Sequence, residues 1–582
     1  MWTKFGRNLV EHGRLILFMA IAMCLLLLWQ AWQQDYQPQV DRAQPVQSTF
    51  SEDHSADVPV GIGSTDSGEH LISGQVMQAS QEAGSAIPTE AFAVSGVPFV
   101  HIQTDLIDGR ISTQGGTLTQ MVLLKVKDDL ENGKPYVLLD ARENSLYVVQ
   151  SGLLSPDNEG DAAPTHHDHY QAMQSEYRLG PNDQTLEVPL LWEDGQGHAV
   201  KKIFIFSRGS YQIQLRYEIK NGEQEPWRVR QYAQIRRSEK DLHERRPGQR
   251  FVRNFAGASV FTDQYKKFKF KQLAKEPLDL QYPSGWVAMV EHYFISAVIP
   301  PQNEGNANYH FYTKPLHDGT YLAGFSGSLI QLGPGETTSL NTSFYVGPKA
   351  RNKLAEAAEG LERSVDYGWL TVIAEPLFWL LTHIHNVVGN WGVAVIFLTF
   401  LLKAAFYKLS ETQFKSMAKM KEVTPRIQSL RERYADDREA LQKAMMELYR
   451  KEKFNPLGGC LPILAQMPVF IALYWVLIGS VELRHAGFAL WIHDLSAPDP
   501  LFILPALYGM AMFLQQRMSG TAATMDPVQA RVMQFMPVGM AVFFAFFPSG
   551  LVLYWLTNSV LSLVQQWYIT SKITRQSQMK KA

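Results

Sequence analysis

The apolar stretch GVAVIFLTFLLKAAFY, Gly392–Tyr407, carries a single charge, Lys403. An apolar run of this kind reads as a membrane helix. An ammonium at a helix centre costs about 2.5–3.5 kcal/mol on insertion scales, so such a residue points to function by default. Lys403 also stands near the end of the run, where its methylene stem could carry the charge to the headgroups. Both readings stand on this stretch alone. Thr399, four residues earlier, shares a helix face with Lys403.

Four further apolar runs follow: Leu461–Ile478, Leu501–Leu514, Val532–Phe547 and Leu551–Tyr568. Several offer about 14–17 apolar residues where about 20 are usual for a span. The run at 501–514 is short enough to be a core helix, but it stands in a series of spans. Near the N-terminus, Lys4, Arg7 and Arg14 precede an almost wholly apolar Leu15–Trp29. That is the charge layout of a signal sequence. Trp29, Gln30, Ala31 and Trp32 offer no small-x-small cleavage site, so an uncleaved anchor is expected. The count is then six spans: 1–32, 390–407, 456–480, 501–516, 532–548 and 549–569.

Loop charge tests this topology, because Lys and Arg accumulate on the cytoplasmic side. With the N-terminus inside, the basic segment 408–455 is cytoplasmic. The loop 481–500 is outside, with Arg484 its only Lys or Arg. Arg517 and Arg531 in 517–531 fall inside, as do Lys572, Arg575, Lys580 and Lys581 in the tail 570–582. Every loop agrees.

Between the anchor and Gly392 the composition changes twice. Residues 33–98 are rich in Gln, Ser, Gly, Asp and Pro and are expected to be a flexible linker. From 99 to 348 the pattern is that of strands. Tyr211, Ile213, Leu215, Tyr217 and Ile219 alternate with polar residues and run into Asn221-Gly222, a strand and hairpin signal. Lys202–Ser207, His292–Ile299 and Ser339–Val346 are further strand candidates. A large antiparallel β-sandwich is expected. Lys349 to Asp366 is helical in composition. In Gly368–Val388, Trp369, Leu370, Ile373, Leu377, Leu380, Leu381 and Ile384 recur at helical spacing. This predicts an amphipathic helix, 349–389 with its connector, lying in the outer membrane interface; a core helix of the β domain is the alternative. In 408–455, Met417, Met420, Val423, Ile427, Leu430 and Tyr434, then Leu441, Met445 and Leu448, predict a helical hairpin broken near Asp436-Asp437. Pro425 should kink the first helix or mark its start.

The formal net charge of −2 over 582 residues argues against a nucleic-acid binder. Cys24 and Cys460 lie in or beside apolar runs, and no structural disulfide is expected. There is no phosphate loop, Rossmann glycine pattern, nucleophile elbow or HExxH, so no cofactor, metal or catalytic residue is nominated. His166, His167, Asp168 and His169 could bind a metal in principle, but solvated loop residues are the expectation. The polar residues of the spans are more telling: Gln466, Gln515, Gln516, Thr557, Asn558 and Ser559. Each alone reads as interhelical hydrogen bonding. Together with Lys403, and with no acidic residue in any of the five later spans, they suggest a wet cavity.

The segments NPLGGCLPILAQMPVFIALYWVL (455–477), SVELRHAGFALWIHDLSAPDP (480–500) and FFPSGLVLYWLTNSVLSLVQQW (546–567) resemble the YidC family of membrane protein insertases. The likeness extends over essentially the whole chain, in the long form of Gram-negative bacteria. It implies a multi-pass protein of the bacterial inner membrane, both termini cytoplasmic. It implies a hydrophilic groove open to cytoplasm and lipid, with one essential basic residue that maps to Lys403. The commoner residue there is Arg; Lys keeps the charge and loses the planar five-donor fork. Thr399, Tyr554 and Trp555 match positions on the substrate-contacting face, which Gln466 and Gln516 join as polar groove candidates. The hairpin matches a region of ribosome or targeting-factor contact. The β domain resembles mutarotase-like sandwiches and, in the family, touches an accessory subunit of the Sec translocon. Nascent transmembrane segments are the implied clients. Two rivals remain at this point: a membrane-anchored periplasmic carbohydrate-binding or mutarotase-like protein, and a channel or transporter built around Lys403.

Overall fold

Two sheets of eleven and nine strands lie face to face between Phe99 and Pro348. The computed structural model describes residues 57, 98–128, 133–142, 145–155, 163–239, 255–302, 308–434, 437–451, 461–519 and 527–581. The anchor expected over 1–32 lies outside the described residues. So do all of the linker but Asp57 and Pro98, the residues 452–460 and 520–526, and both cysteines.

The strand Gln212–Lys220 shows why a sandwich forms. Ile213, Leu215, Tyr217 and Ile219 are all buried, while Gln214 and Lys220 are exposed. A period of two puts one apolar face on the sheet, and each such side chain contributes about 1.5–3 kcal/mol when buried. The neighbours of this strand are Ala199–Ser207 and Thr337–Pro348, both antiparallel. Almost every described pairing is antiparallel; His101–Gln103 with Glu176–Arg178 is parallel.

Asn221-Gly222 does not close a hairpin. The next strand, Trp227–Ser238, belongs to the other sheet. Asn221 is buried and donates to the carbonyls of Glu225 (2.8 Å) and Leu332 (3.1 Å), while its side-chain oxygen accepts from Glu223 N. A Cβ on Gly222 would stand 2.3 Å from the Gly197 carbonyl oxygen. The pair therefore carries the chain between layers through a crowded passage, a task that uses the same residue types as a tight turn.

Among the described residues nine α-helices follow the sandwich: α1 (Arg351–Ala357), α2 (Thr371–Val388), α3 (Trp391–Ala405), α4 (Tyr407–Arg433), α5 (Arg438–Lys451), α6 (Leu461–Gly479), α7 (Ile503–Ser519), α8 (Pro527–Phe544) and α9 (Ser549–Lys581). The helix expected from Lys349 to Asp366 is cut short. Ala358 is extended, and Gly360 takes a left-handed φ of 74° where a Cβ would meet the Phe261 ring. α2 buries Ala374, Leu377, Phe378 and Leu381 and exposes Val372, Trp379 and Val387. Its burial is thus one-sided. Pro425 lies within α4 and does not mark its start. α9 runs on through the basic segment expected as a tail.

Among the described residues no single helix is long and apolar enough to cross a membrane. The pair Trp391–Ala405 and Tyr407–Ala418 passes that test together, bent by 69°. At about 1.5 Å per residue, α3 spans roughly 22 Å against a hydrocarbon core of about 30 Å.

The sandwich is fastened to the helices by polar links. Arg484 donates to the Asp128 carbonyl (3.1 Å) and sits over the rings of Tyr136, Phe294 and Tyr293. The His292 ring lies 3.1 Å from the Ile478 carbonyl oxygen, and Arg351 of α1 pairs with Glu375 of α2 at 2.7 Å, which ties the connector to the next helix. Burial pushes the His292 imidazole down to about 4, helped by Lys349, so it is neutral at this junction.

Candidate functional site

Helices α3 and α9 are pinned at one end to the same loop. Asn390 caps α3, accepting from Val393 N and donating to the Phe488 carbonyl at 2.9 Å. A Cβ on Gly392 would collide with the Phe488 ring, so glycine lets the loop close on the helix start. Ser549 and Gly550, which open α9, donate from their backbone to the carbonyls of Ala497 and Leu495, and Ser549 Oγ donates to that of Asp494. The loop itself is knotted by its carboxylates. Asp499 accepts from Trp491 Nε1, Leu501 N and Leu504 N; Asp494 accepts from His485 N and from both donors of Ser496.

From this shared base the two helices rise together. Thr399 and Lys403 occupy one face of α3; Tyr554, Asn558 and Ser562 occupy one face of α9. Lys403 and Ser562 are each carried roughly 20 Å from the loop, at matched depth. The Lys403 ammonium donates to Ser562 Oγ at 2.7 Å, and Ser562 Oγ donates to the Asn558 carbonyl at 2.7 Å. Lys403 is only 8% exposed.

A small pocket opens beside this pair. Thr399, Leu402, Lys403, Phe406, Gln466, Val469, Phe470, Tyr554 and Asn558 line it. Among the described residues no carboxylate does. Gln466, Val469 and Phe470 come from α6, where spacings of three and four put them on one face. Pro468 sits inside α6 and removes one backbone donor from that turn.

Of the residues nominated from sequence, Lys403, Thr399, Gln466 and Tyr554 meet in this pocket. Gln516 and Trp555 do not line it. Gln516 Nε2 donates to the Met533 carbonyl at 2.5 Å, tying α7 to α8. Trp555 packs among Phe470, Phe544 and Tyr508. Ser562 was missed altogether. Its signal was available: it follows Asn558 by four and Tyr554 by eight, on the same helix face.

The hydroxyls in these helices mostly bond within their own helix. Thr399 donates to Val395 O, Thr557 to Leu553 O and Ser562 to Asn558 O. Of these three, Ser562 also links two helices, by accepting from Lys403. The faces of α3 and α8 turned away from the bundle are apolar and bare: Phe397, Phe400 and Leu401; Val532, Phe535, Val538, Val542 and Phe543. Patches of this extent are not left to water in a folded protein.

The histidine run expected to be a solvated loop is partly buried. His166 is 4% exposed and faces Asp57 together with His167. Asp168 caps the local turn by accepting from Thr165 N and Oγ1, and His169 bridges to Gln114. Ligand atoms of Asp57, His166 and His167 lie within 4.8 Å of one another. However, Arg236 Nη1 stands 2.9 Å from Asp57 Oδ2, and a guanidinium there disfavours a cation.

Comparison with known proteins agrees over the full length. A family model described as 60Kd inner membrane protein matches residues 383–577, and one described as YidC periplasmic domain matches 99–380. The membrane protein insertase YidC of Methylobacillus flagellatus is 44% identical over 578 residues, covering 98% of this chain and 99% of that one. Its counterpart in Nitrosococcus oceani is 43% identical and covers 97% and 100%. Among solved structures, YidC from Thermotoga maritima covers 80% of this chain and 99% of its own, at 15% identity and a TM-score of 0.31. A galactose mutarotase related enzyme from Lactobacillus acidophilus covers 43% and 97%, at 8% identity and a TM-score of 0.27.

Proposed function

We propose a mechanism for this chain on one premise: it belongs to the YidC family of membrane protein insertases. It is an inner-membrane protein with a periplasmic domain, and membrane proteins are its substrates. In our reading the pocket around Lys403 is where a client's polar flank enters the membrane. The client's apolar segment lies along the bare apolar faces of the helices, and an Asp or Glu beside it is drawn to the ammonium. The low dielectric between helices strengthens that attraction relative to water. Transfer of the apolar segment into lipid then drives release, at about 25 cal/mol per Å². No covalent step is required.

One observation carries this reading: among the described residues, the ammonium has one hydroxyl as its partner and faces a pocket that no carboxylate lines. The short α3 supports a locally thinned bilayer, which lowers the barrier further. The finer topology belongs to the same proposal: six spans, both termini and the 408–455 hairpin cytoplasmic, the loop 481–500 outside, α2 in the outer interface. Loop charge supports the orientation, and the one-sided burial of α2 supports its placement. We further propose the hairpin as the contact for ribosome or targeting factors, and the sandwich as the contact for an accessory subunit of the Sec translocon. The family likeness supports both. The carbohydrate reading is not favoured, because relatives matched end to end are insertases.

The test compares Lys403→Ala with Lys403→Arg in a protease-protection insertion assay. Ala should impair a client with an acidic tail and spare one with a neutral tail; Arg should support both. Normal insertion of the acidic client by Lys403→Ala would remove the charge from the mechanism.

A further inference from the structure

The larger sheet carries a polar pocket on the face turned away from its partner sheet. Along Trp227–Ser238 the alternation is strict. Val229, Ala233 and Ile235 join the core, while Tyr232, Gln234 and Arg236 point the other way. Two glycines on adjoining strands make room for them. A Cβ on Gly152 would stand 2.8 Å from the Tyr232 hydroxyl, and one on Gly324 would stand 2.8 Å from the Tyr312 hydroxyl. Buried Gln234 accepts from Tyr312 (2.7 Å) and donates to Gln150 (3.0 Å), which fixes its amide.

That prepared surface holds one residue from a distant part of the chain. Asp57 is 7% exposed. Its backbone carbonyl accepts from Gln234 Nε2 at 2.8 Å. One carboxylate oxygen accepts from Arg236 Nη1 at 2.9 Å and lies 3.1 Å from His166 Nε2; the other lies 2.9 Å from His167 Nε2. His166 is oriented through Nδ1, 2.6 Å from the Tyr232 hydroxyl, and Arg236 is held by Asp318 at 2.6 Å. The donors read a side-chain carboxylate and the carbonyl of the same residue.

We propose that this pocket is a receptor for an aspartyl residue of an acidic peptide segment, and that Asp57 is its resident, exchangeable ligand. A segment of another polypeptide presenting the same carboxylate and carbonyl can take its place. This site is separate from the Lys403 pocket and does not depend on it.

The experiment uses the full chain in detergent and a fluorescein-labelled peptide, EDHSADVPVGI, copied from residues 52–62. Anisotropy should show binding to Asp57→Ala protein at least about tenfold tighter than to the wild type, whose own residue competes in cis. Asp57→Asn, which is isosteric, should give the same order. A peptide with Ala in place of the Asp at 57 should not bind. In the Asp57→Ala background, Arg236→Gln and the half-exposed His167→Gln should each abolish binding while the thermal melt is retained. Equal binding to wild type and Asp57→Ala, or none to a folded Asp57→Ala, overturns the proposal. So does stoichiometric Zn²⁺ uptake by the wild type in calorimetry, which would make the cluster a metal centre.

Discussion

Among the buried lysines of the described residues, Lys202 in the sandwich and Lys403 in the helical half are buried differently. Lys202 lies in the sandwich with no exposed surface. Its ammonium donates to the carbonyls of Gly115 (2.6 Å) and Ser151 (2.9 Å) and is surrounded by the rings of Tyr170, Phe204 and Tyr217 at 5.5–5.6 Å. Nothing is left for a guest, and the packing is tight enough that a Cβ on Gly116 would meet the Lys202 stem. Lys403 has a single hydroxyl among the described residues and an open pocket beside it. The first lysine is a structural tie. The second has donors to spare. Burial alone does not mark a functional cation; an unfilled hydrogen-bonding capacity next to space does.

The largest expected effects are therefore crossed. Lys202→Met should orphan two buried carbonyls and cost about 2–5 kcal/mol, lowering the sandwich's melting temperature by roughly 5–15 °C. Lys403→Ala should change melting by less than about 1 kcal/mol while insertion of an acidic-tailed client collapses. If both variants lose stability equally, the distinction between tie and site fails. Next in size is Gly324→Ala. Its new methyl would lie 2.6 Å from the Ala233 carbonyl oxygen and the Gln234 Cβ, so a loss of about 1–3 kcal/mol is expected by thermal melting. Ser562→Ala should be milder, about 1–2 kcal/mol, with insertion of the acidic client retained because the ammonium remains.

The smallest effect is a pH dependence at Asp57. Burial alone would raise its carboxyl, but hydrogen bonds from His166 and His167 and their charge hold it well below the usual carboxylate range. The hydrogen bond to Asp57 raises His167 against the effect of burial, whereas burial pushes His166 down. Arg236, Asp168, Asp318 and Lys202 complete the charges around them. The lowered Asp57 and His166 stabilise the fold at higher pH and lose that contribution as pH falls. The raised His167 contributes below its ordinary value and loses this as pH rises. The melting advantage of wild type over Asp57→Ala should therefore be greatest between about pH 5 and pH 7, shrinking on either side. A difference that does not shrink as the pH rises above about 7 would exclude the charge of His167 from the docking.

Some of this was legible in the linear chain. Ile213, Leu215, Tyr217 and Ile219 announce their strand because period two is a local property. Lys403 stands out because one charge in an apolar run is visible without any contact. Lys202 could have been read too: it shares a period-two face with Val200, Phe204 and Phe206, all buried. The role of Asn221-Gly222 could not. The dipeptide suits a hairpin turn and a passage between sheets alike, and only the partner strands distinguish them.

The sequence by itself determined the division into an apolar helical part and a β-sandwich, the faces of the individual strands and helices, and the presence of one isolated cation among apolar residues. These follow from the order of side chains over a few turns or strand repeats. Tertiary structure alone decided which groups meet. Ser562 reaches Lys403 across 159 residues and Asp57 reaches His166 across 109. Such pairings are set by how whole elements pack, and no local pattern of residues encodes them.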